Sequence, residues 1–180
     1  MKLYRAKVPT IAHDTIAALL RDDDIEVEGP NVEEAEADLV AIMEEFMRRD
    51  SDFRNRIKDE MSNRGIPYDR YGEVRKRMSE EMDHPVGDDI ERFLCRQFIE
   101  CLMISRFVEE VYADDRVLHR KIMEVLRGHH VDEREIREEA ASRIKNIAEG
   151  TVEYEIAMQK AVKEAKVRRG LIAEKRPRRQ

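Results

Sequence analysis

Apolar residues recur every three or four positions through most of the chain, which is the period of an α-helix. Ile11, Ala12, Ile16 and Leu19 share one face of a helix predicted over 10–21. Residues 1–8 and the alternation Ile25-Glu26-Val27-Glu28 read instead as short extended pieces that can pair as a small two-stranded element. Asn31 is placed as an N-cap, with Glu33 and Glu34 where the helix dipole favours acids. Val32, Ala35, Leu39, Ile42 and Phe46 then trace a packing seam to about residue 49. Asp50-Ser51-Asp52 offers capping side chains and predicts a break. Phe53, Ile57 and Met61 mark a further helix ended by Gly65 and Pro67, and another over 68–82 closes at Asp83-His84-Pro85.

The second half opens with the most apolar segment, 88–112, where Ile90, Phe93, Leu94, Phe98, Leu102 and Val111 cover well over half of a helix circumference. Such a helix is expected at the centre of the fold, since wetting it would cost about 25 cal/mol per Å². After a break at Ala113-Asp114-Asp115, Leu118, Ile122 and Leu126 define a helix ended by Gly128. Asp132 caps one to about residue 147, and Gly150-Thr151 starts a last helix ending at Gly170. Segments 43–61 and 108–126 align at an offset of 65 positions, with Glu44 and Glu45 over Glu109 and Glu110, Asp50 over Asp115 and Ile57 over Ile122. The alignment predicts a duplicated helix–break–helix unit. The expected fold is therefore all-α, two related helical units in a bundle, 1–86 and 87–170, followed by a basic tail over 171–180 without packed structure.

Composition supports helices, since only seven Gly and five Pro interrupt good helix formers. Charged residues make up 41% of the chain, but the signs are interspersed and the apolar period persists, which is not the signature of disorder. From Lys166 onward seven Lys and Arg face one Glu, so the net charge of −6 divides into an acidic body and a basic end. Cys95 and Cys101 lack metal-ligand spacing and are placed in the core as reduced thiols. Lys2, Arg5 and Lys7 interrupt the only stretch resembling a signal peptide, and no apolar run reaches the roughly 18 residues of a membrane span, so a cytoplasmic protein is expected.

Residues 88–171 bring together DDIERFLCRQFIECLMISRFVEEVYADDRVLHRKIMEVLRGH, VDEREIREEAASRIKNIAEGT and YEIAMQKAVKEAKVRRGL. In this order they resemble the long form of the bacterial family known as domain of unknown function 507, most of all in VEEVYADD, RIKN and EGT. Tyr154 stands where the family pattern has a Trp. The resemblance implies a helical fold with related units. It implies no activity and transfers no site residue.

Among candidate chemistries, Asp115 and His119 share a helical face at a spacing that can hold a divalent ion, with Glu110, Asp114, His129 and His130 near in sequence. Three convergent ligands are not evident. Glu81 and His84 match the Glu-x-x-His of di-iron bundles, but such a core needs two copies and two further Glu. Nucleophile elbows, phosphate loops and Gly-rich dinucleotide turns are missing, so neither a catalytic residue nor a cofactor is assigned and a metal-dependent enzyme is the third reading. The first is a cytoplasmic interaction or scaffold protein that self-associates as a homo-oligomer. The second is a nucleic-acid-associated protein whose Lys175, Arg176, Arg178 and Arg179 neutralise phosphates, although the tail lacks stacking aromatics.

Overall fold

The computed structural model describes residues 1–144, 147 and 151–173. Among these the chain is all-α, with seven α-helices and one pair of two-residue strands. They form two compact units: Met1–Leu3 with Val8–His129, and Tyr4–Lys7 with the chain from His130 onward. Position 86, expected as a unit boundary, therefore lies inside the first unit.

In the first unit, α1 (Val8–Arg21), α2 (Val32–Asn63), α4 (Asp89–Ile104) and α5 (Asp115–Gly128) close a ring of four helices, α1 packing on α2 and α5, and α4 on the same two. Each helix contributes an apolar stripe: Ile11, Ile16 and Leu19; Leu39, Met43 and Phe46; Leu94, Phe98 and Leu102; Leu118, Ile122 and Leu126. Thr15 is buried in this core with its hydroxyl donating to the Ile11 carbonyl at 2.7 Å, so it adds no unsatisfied polar group. At one end β1 (Ile25–Glu26) pairs antiparallel with β2 (Glu110–Val111). The extended piece at 25–26 thus exists, but its partner is not the N-terminal segment, where Arg5–Lys7 form a short 3₁₀ turn. Lys121 of α5 secures the corner before β1 through Asp22 and Asp24.

The predicted break at Asp50-Ser51-Asp52 is absent, because α2 runs without interruption for 32 residues. Phe46 and Phe53 lie seven positions apart, two helical turns, so the apolar stripe keeps its phase across the polar triplet. Asp50 also supports the helix through an ion pair with Arg54 at 3.0 Å. Mid-helix Asp and Ser cost up to about 0.7 kcal/mol each, whereas burying side chains such as Phe53 and Ile57 contributes about 1.5–3 kcal/mol each. The helix therefore continues. It ends in a Schellman motif, Ile66 N–H donating to the Met61 carbonyl with Gly65 at φ +60°. Beyond the ring, Phe53, Ile57 and Met61 form a separate core with Val74 and Met78 of α3 (Tyr71–Glu81).

Helix α4 stops at Ile104, well before the expected residue 112. Ser105 accepts from Phe107 N–H and donates to Asp38, and the chain then becomes extended. Glu109 N–H donates to the Glu26 carbonyl, and Tyr112 and Ala113 N–H both donate to that of Asp24. Strand pairing overrides helical propensity here. With 43–61 inside one unbroken helix, and 108–126 made of strand, turn and α5, the helix–break–helix duplication does not hold.

In the second unit, α6 (Glu133–Arg143) packs on α7 (Val152–Arg168). Asp132 and Thr151 cap them as expected, their side chains accepting from Arg134 and Tyr154 N–H. Tyr4, Ile136, Ala165 and Leu171 make the core. Tyr4 donates its hydroxyl to Glu133, and Lys166 pairs with the same carboxylate at 2.9 Å. Burial first, and that carboxylate second, raise the Tyr4 phenol above its ordinary pKa. A Schellman motif at Gly170, φ +64°, turns the next side chain back onto its helix, so Leu171 is only 3% exposed. The unpacked tail consequently does not begin at 171.

A proline at position 51 tests the continuity of α2. Ser51→Pro should destabilise the protein by about 3 kcal/mol or more, since it removes a helical hydrogen bond and clashes with the preceding turn. A loop at 50–52 would tolerate it, and chemical denaturation distinguishes the two.

Candidate functional site

Asp50, the first residue of the polar triplet that does not break α2, instead faces the turn between α3 and α4. Helix α3 ends in a Schellman geometry with Asp83 at φ +47° and His84 N–H donating to the Ser79 carbonyl at 2.9 Å. That turn drives the His84 ring inward, where it stacks on Phe53 at 4.3 Å and Phe46 at 5.8 Å between centroids. Its Nε2 lies 3.3 Å from Asp50 Oδ1. Burial lowers the pKa of His84, Asp50 partly offsets the shift, and Arg49 and Arg75 push it down again. A neutral ring at pH 7 therefore donates Nε2–H to Asp50, which only accepts. The pair fastens the α3–α4 turn to the middle of α2.

Above it lies an open groove of about 440 Å³. Arg49 of α2, Glu80 of α3, Asp83 of its terminal turn, and Arg92, Phe93 and Arg96 of α4 are among the residues that line it. The Arg49 and Arg96 guanidinium carbons lie 5.9 and 6.0 Å from the centroid of the Phe93 ring. Arg92 is committed to Asp89 at 2.9 Å. No carboxylate among the described residues forms an ion pair with Arg49 or Arg96. The one hydroxyl in the groove, Ser79 Oγ, donates to the Lys76 carbonyl at 2.8 Å.

Of the candidate residues singled out in the sequence, His84 lines this groove, and the other described ones lie elsewhere. Asp114, rather than Asp115, caps α5, accepting from Arg116 and Val117 N–H. Leu118 is fully buried and its neighbour His119 is exposed. His129 pairs with Asp14 at 2.8 Å, Glu110 belongs to β2 and His130 to the second unit. Glu81 pairs with Arg77 at 2.7 Å and does not join His84. No three His, Cys, Asp or Glu side chains converge as a metal site among the described residues. Cys95 is buried with its thiol pushed up to about 11, and burial also raises Cys101. Lys175, Arg176, Arg178 and Arg179 lie outside the described residues.

With this geometry in place, the comparison with known families is informative about kinship and silent about chemistry. The model of the protein of unknown function family DUF507 matches residues 1–171. The chain belongs to this family. No curated protein matches it. The DUF507 kinship spans both units but supplies no substrate for the groove. No helix among the described residues is long and apolar enough to cross a membrane.

The His84–Asp50 pair predicts a pH dependence. Unfolded His84 titrates near about 6.5 and the folded residue lower, so the unfolded chain binds more protons in that interval. Stability should fall as pH drops from 7 to 5 and level off below the folded pKa. In His84→Gln, which cannot titrate, that part of the fall should vanish from thermal melts.

Proposed function

We propose that this DUF507 protein acts as an interaction protein, first of all with a second copy of itself, in the cytoplasm. The observation that carries this reading is on α7, where Val152 and Ile156 stand one turn apart at 76% and 63% exposure. The same helix bears Glu153 and Glu155 in its first turn and Lys160 and Lys163 further on. Pairing of this stretch with its copy about a two-fold axis would remove both apolar side chains from water in a self-complementary contact. A 17-residue helix is only about 25 Å long, so the contact belongs with small, transient interfaces, with a dissociation constant on the order of micromolar. Ile104, 85% exposed at the end of α4, adds a second apolar point of contact in the first unit.

Sedimentation at increasing concentration tests the reading. The parent should show a reversible monomer–dimer equilibrium, and Val152→Asp with Ile156→Asp should remain monomeric at unchanged melting temperature. A parent that is monomeric at about 100-fold above the micromolar range would exclude it.

The basic end of the sequence favours a second reading, nucleic-acid association through Lys175, Arg176, Arg178 and Arg179. Binding to duplex DNA should then weaken with salt, by a logarithmic slope of at most about 0.9 per phosphate neutralised. Replacing the four residues with Gln should abolish that slope. Salt-independent weak binding by both proteins would remove the reading.

A further inference from the structure

The groove beside His84 has a ligand chemistry of its own. Its wall presents two guanidinium groups, Arg49 and Arg96, that converge on one aromatic ring and have no carboxylate ion pair among the described residues. Both guanidinium carbons lie within about 6 Å of the Phe93 ring centre, the range of a cation–π contact. Planar forked donors of this kind match the oxygens of a phosphate. In the same lining Glu80 and Asp83 offer carboxylate oxygens, which only accept, and neither forms an ion pair among the described residues. A ligand that satisfies both sets of groups carries an anion and hydrogen-bond donors. The volume of about 440 Å³ lies in the range of small-molecule sites.

We propose that this groove binds a phosphomonoester of the nucleoside monophosphate class, its phosphate held by Arg49 and Arg96 and its hydroxyl or amino donors facing Glu80 and Asp83. Free phosphate shares the anionic chemistry but not the donors, and a nucleoside shares the donors but not the anion. The site is independent of α7 and of the basic tail, so it stands or falls apart from self-association.

Calorimetric titration of the full chain with AMP, inorganic phosphate and adenosine separates these possibilities. AMP should bind saturably with a dissociation constant below about 1 mM, and the other two should bind at least about tenfold more weakly. Arg49→Gln and Arg96→Gln should each weaken AMP about tenfold, while Arg116→Gln, on the exposed start of α5, should leave it unchanged. Both groove arginines are exposed and lack ion pairs among the described residues, so thermal melts of these variants should match the parent. Glu80→Gln with Asp83→Asn should weaken AMP and leave inorganic phosphate unaffected. Phosphate binding as tightly as AMP would overturn the nucleotide assignment. No saturable AMP binding up to about 10 mM, or binding indifferent to both arginine variants, would overturn the site.

Discussion

The first unit depends on α2 remaining one helix. At about 1.5 Å per residue its 32 residues extend about 48 Å, too long to be covered by a single packing partner. Its first half lays Leu39, Met43 and Phe46 into the four-helix core, and its second half offers Phe53, Ile57 and Met61 to α3. The in-phase spacing of Phe46 and Phe53 makes one rigid rod serve both cores. Asp50, halfway along, holds His84, and His84 in turn fills the space between the two phenylalanines. A break at 50–52 would separate the cores and dissolve the seat of the α3–α4 turn.

That arrangement also builds the groove, which no motif of the linear sequence announces. Arg49 reaches Phe93 because α2 and α4 are packed neighbours, and Asp83 joins the groove from a turn in which it holds a left-handed backbone conformation at the end of α3. Asp115 and His119 have suitable spacing for a metal but lack a third convergent ligand among the described residues. The DUF507 kinship covers both units, so family relatives provide a natural set in which to examine the positions of Arg49, Phe93 and Arg96.

Much of the architecture can be read from local signals. Asp132 and Thr151 cap where side-chain oxygens precede helical periods, α5 occupies the segment its apolar stripe predicts, and Gly65 and Gly170 adopt the left-handed conformation that ends helices. What sequence obscures is non-local. Asp50-Ser51-Asp52 looks like a cap because propensity is local, whereas continuity is decided by two cores to either side. The end of α4 has no Gly or Pro to announce it, and the chain beyond it pairs Glu110 with Glu26, a residue 84 positions earlier. Gly170 followed by Leu171 reads as a stop, yet the same pair is the signature of a Schellman turn whose next side chain is buried. The groove escapes sequence reasoning altogether, since Arg49, His84 and Arg96 come from three segments and their types taken singly suggest surface charge and a helix end.

Hydrogen exchange measured residue by residue through the middle of α2 tests the account most directly, because backbone amides report helix continuity without any substitution. Amides of residues 50–56 should exchange with the slow, cooperative behaviour of residues 43–49, as one helix spanning both cores requires. Fast exchange confined to 50–56, with protection on either side, would show two helices meeting at a break and would contradict the single rod on which the His84 seat and the arginine groove both rest.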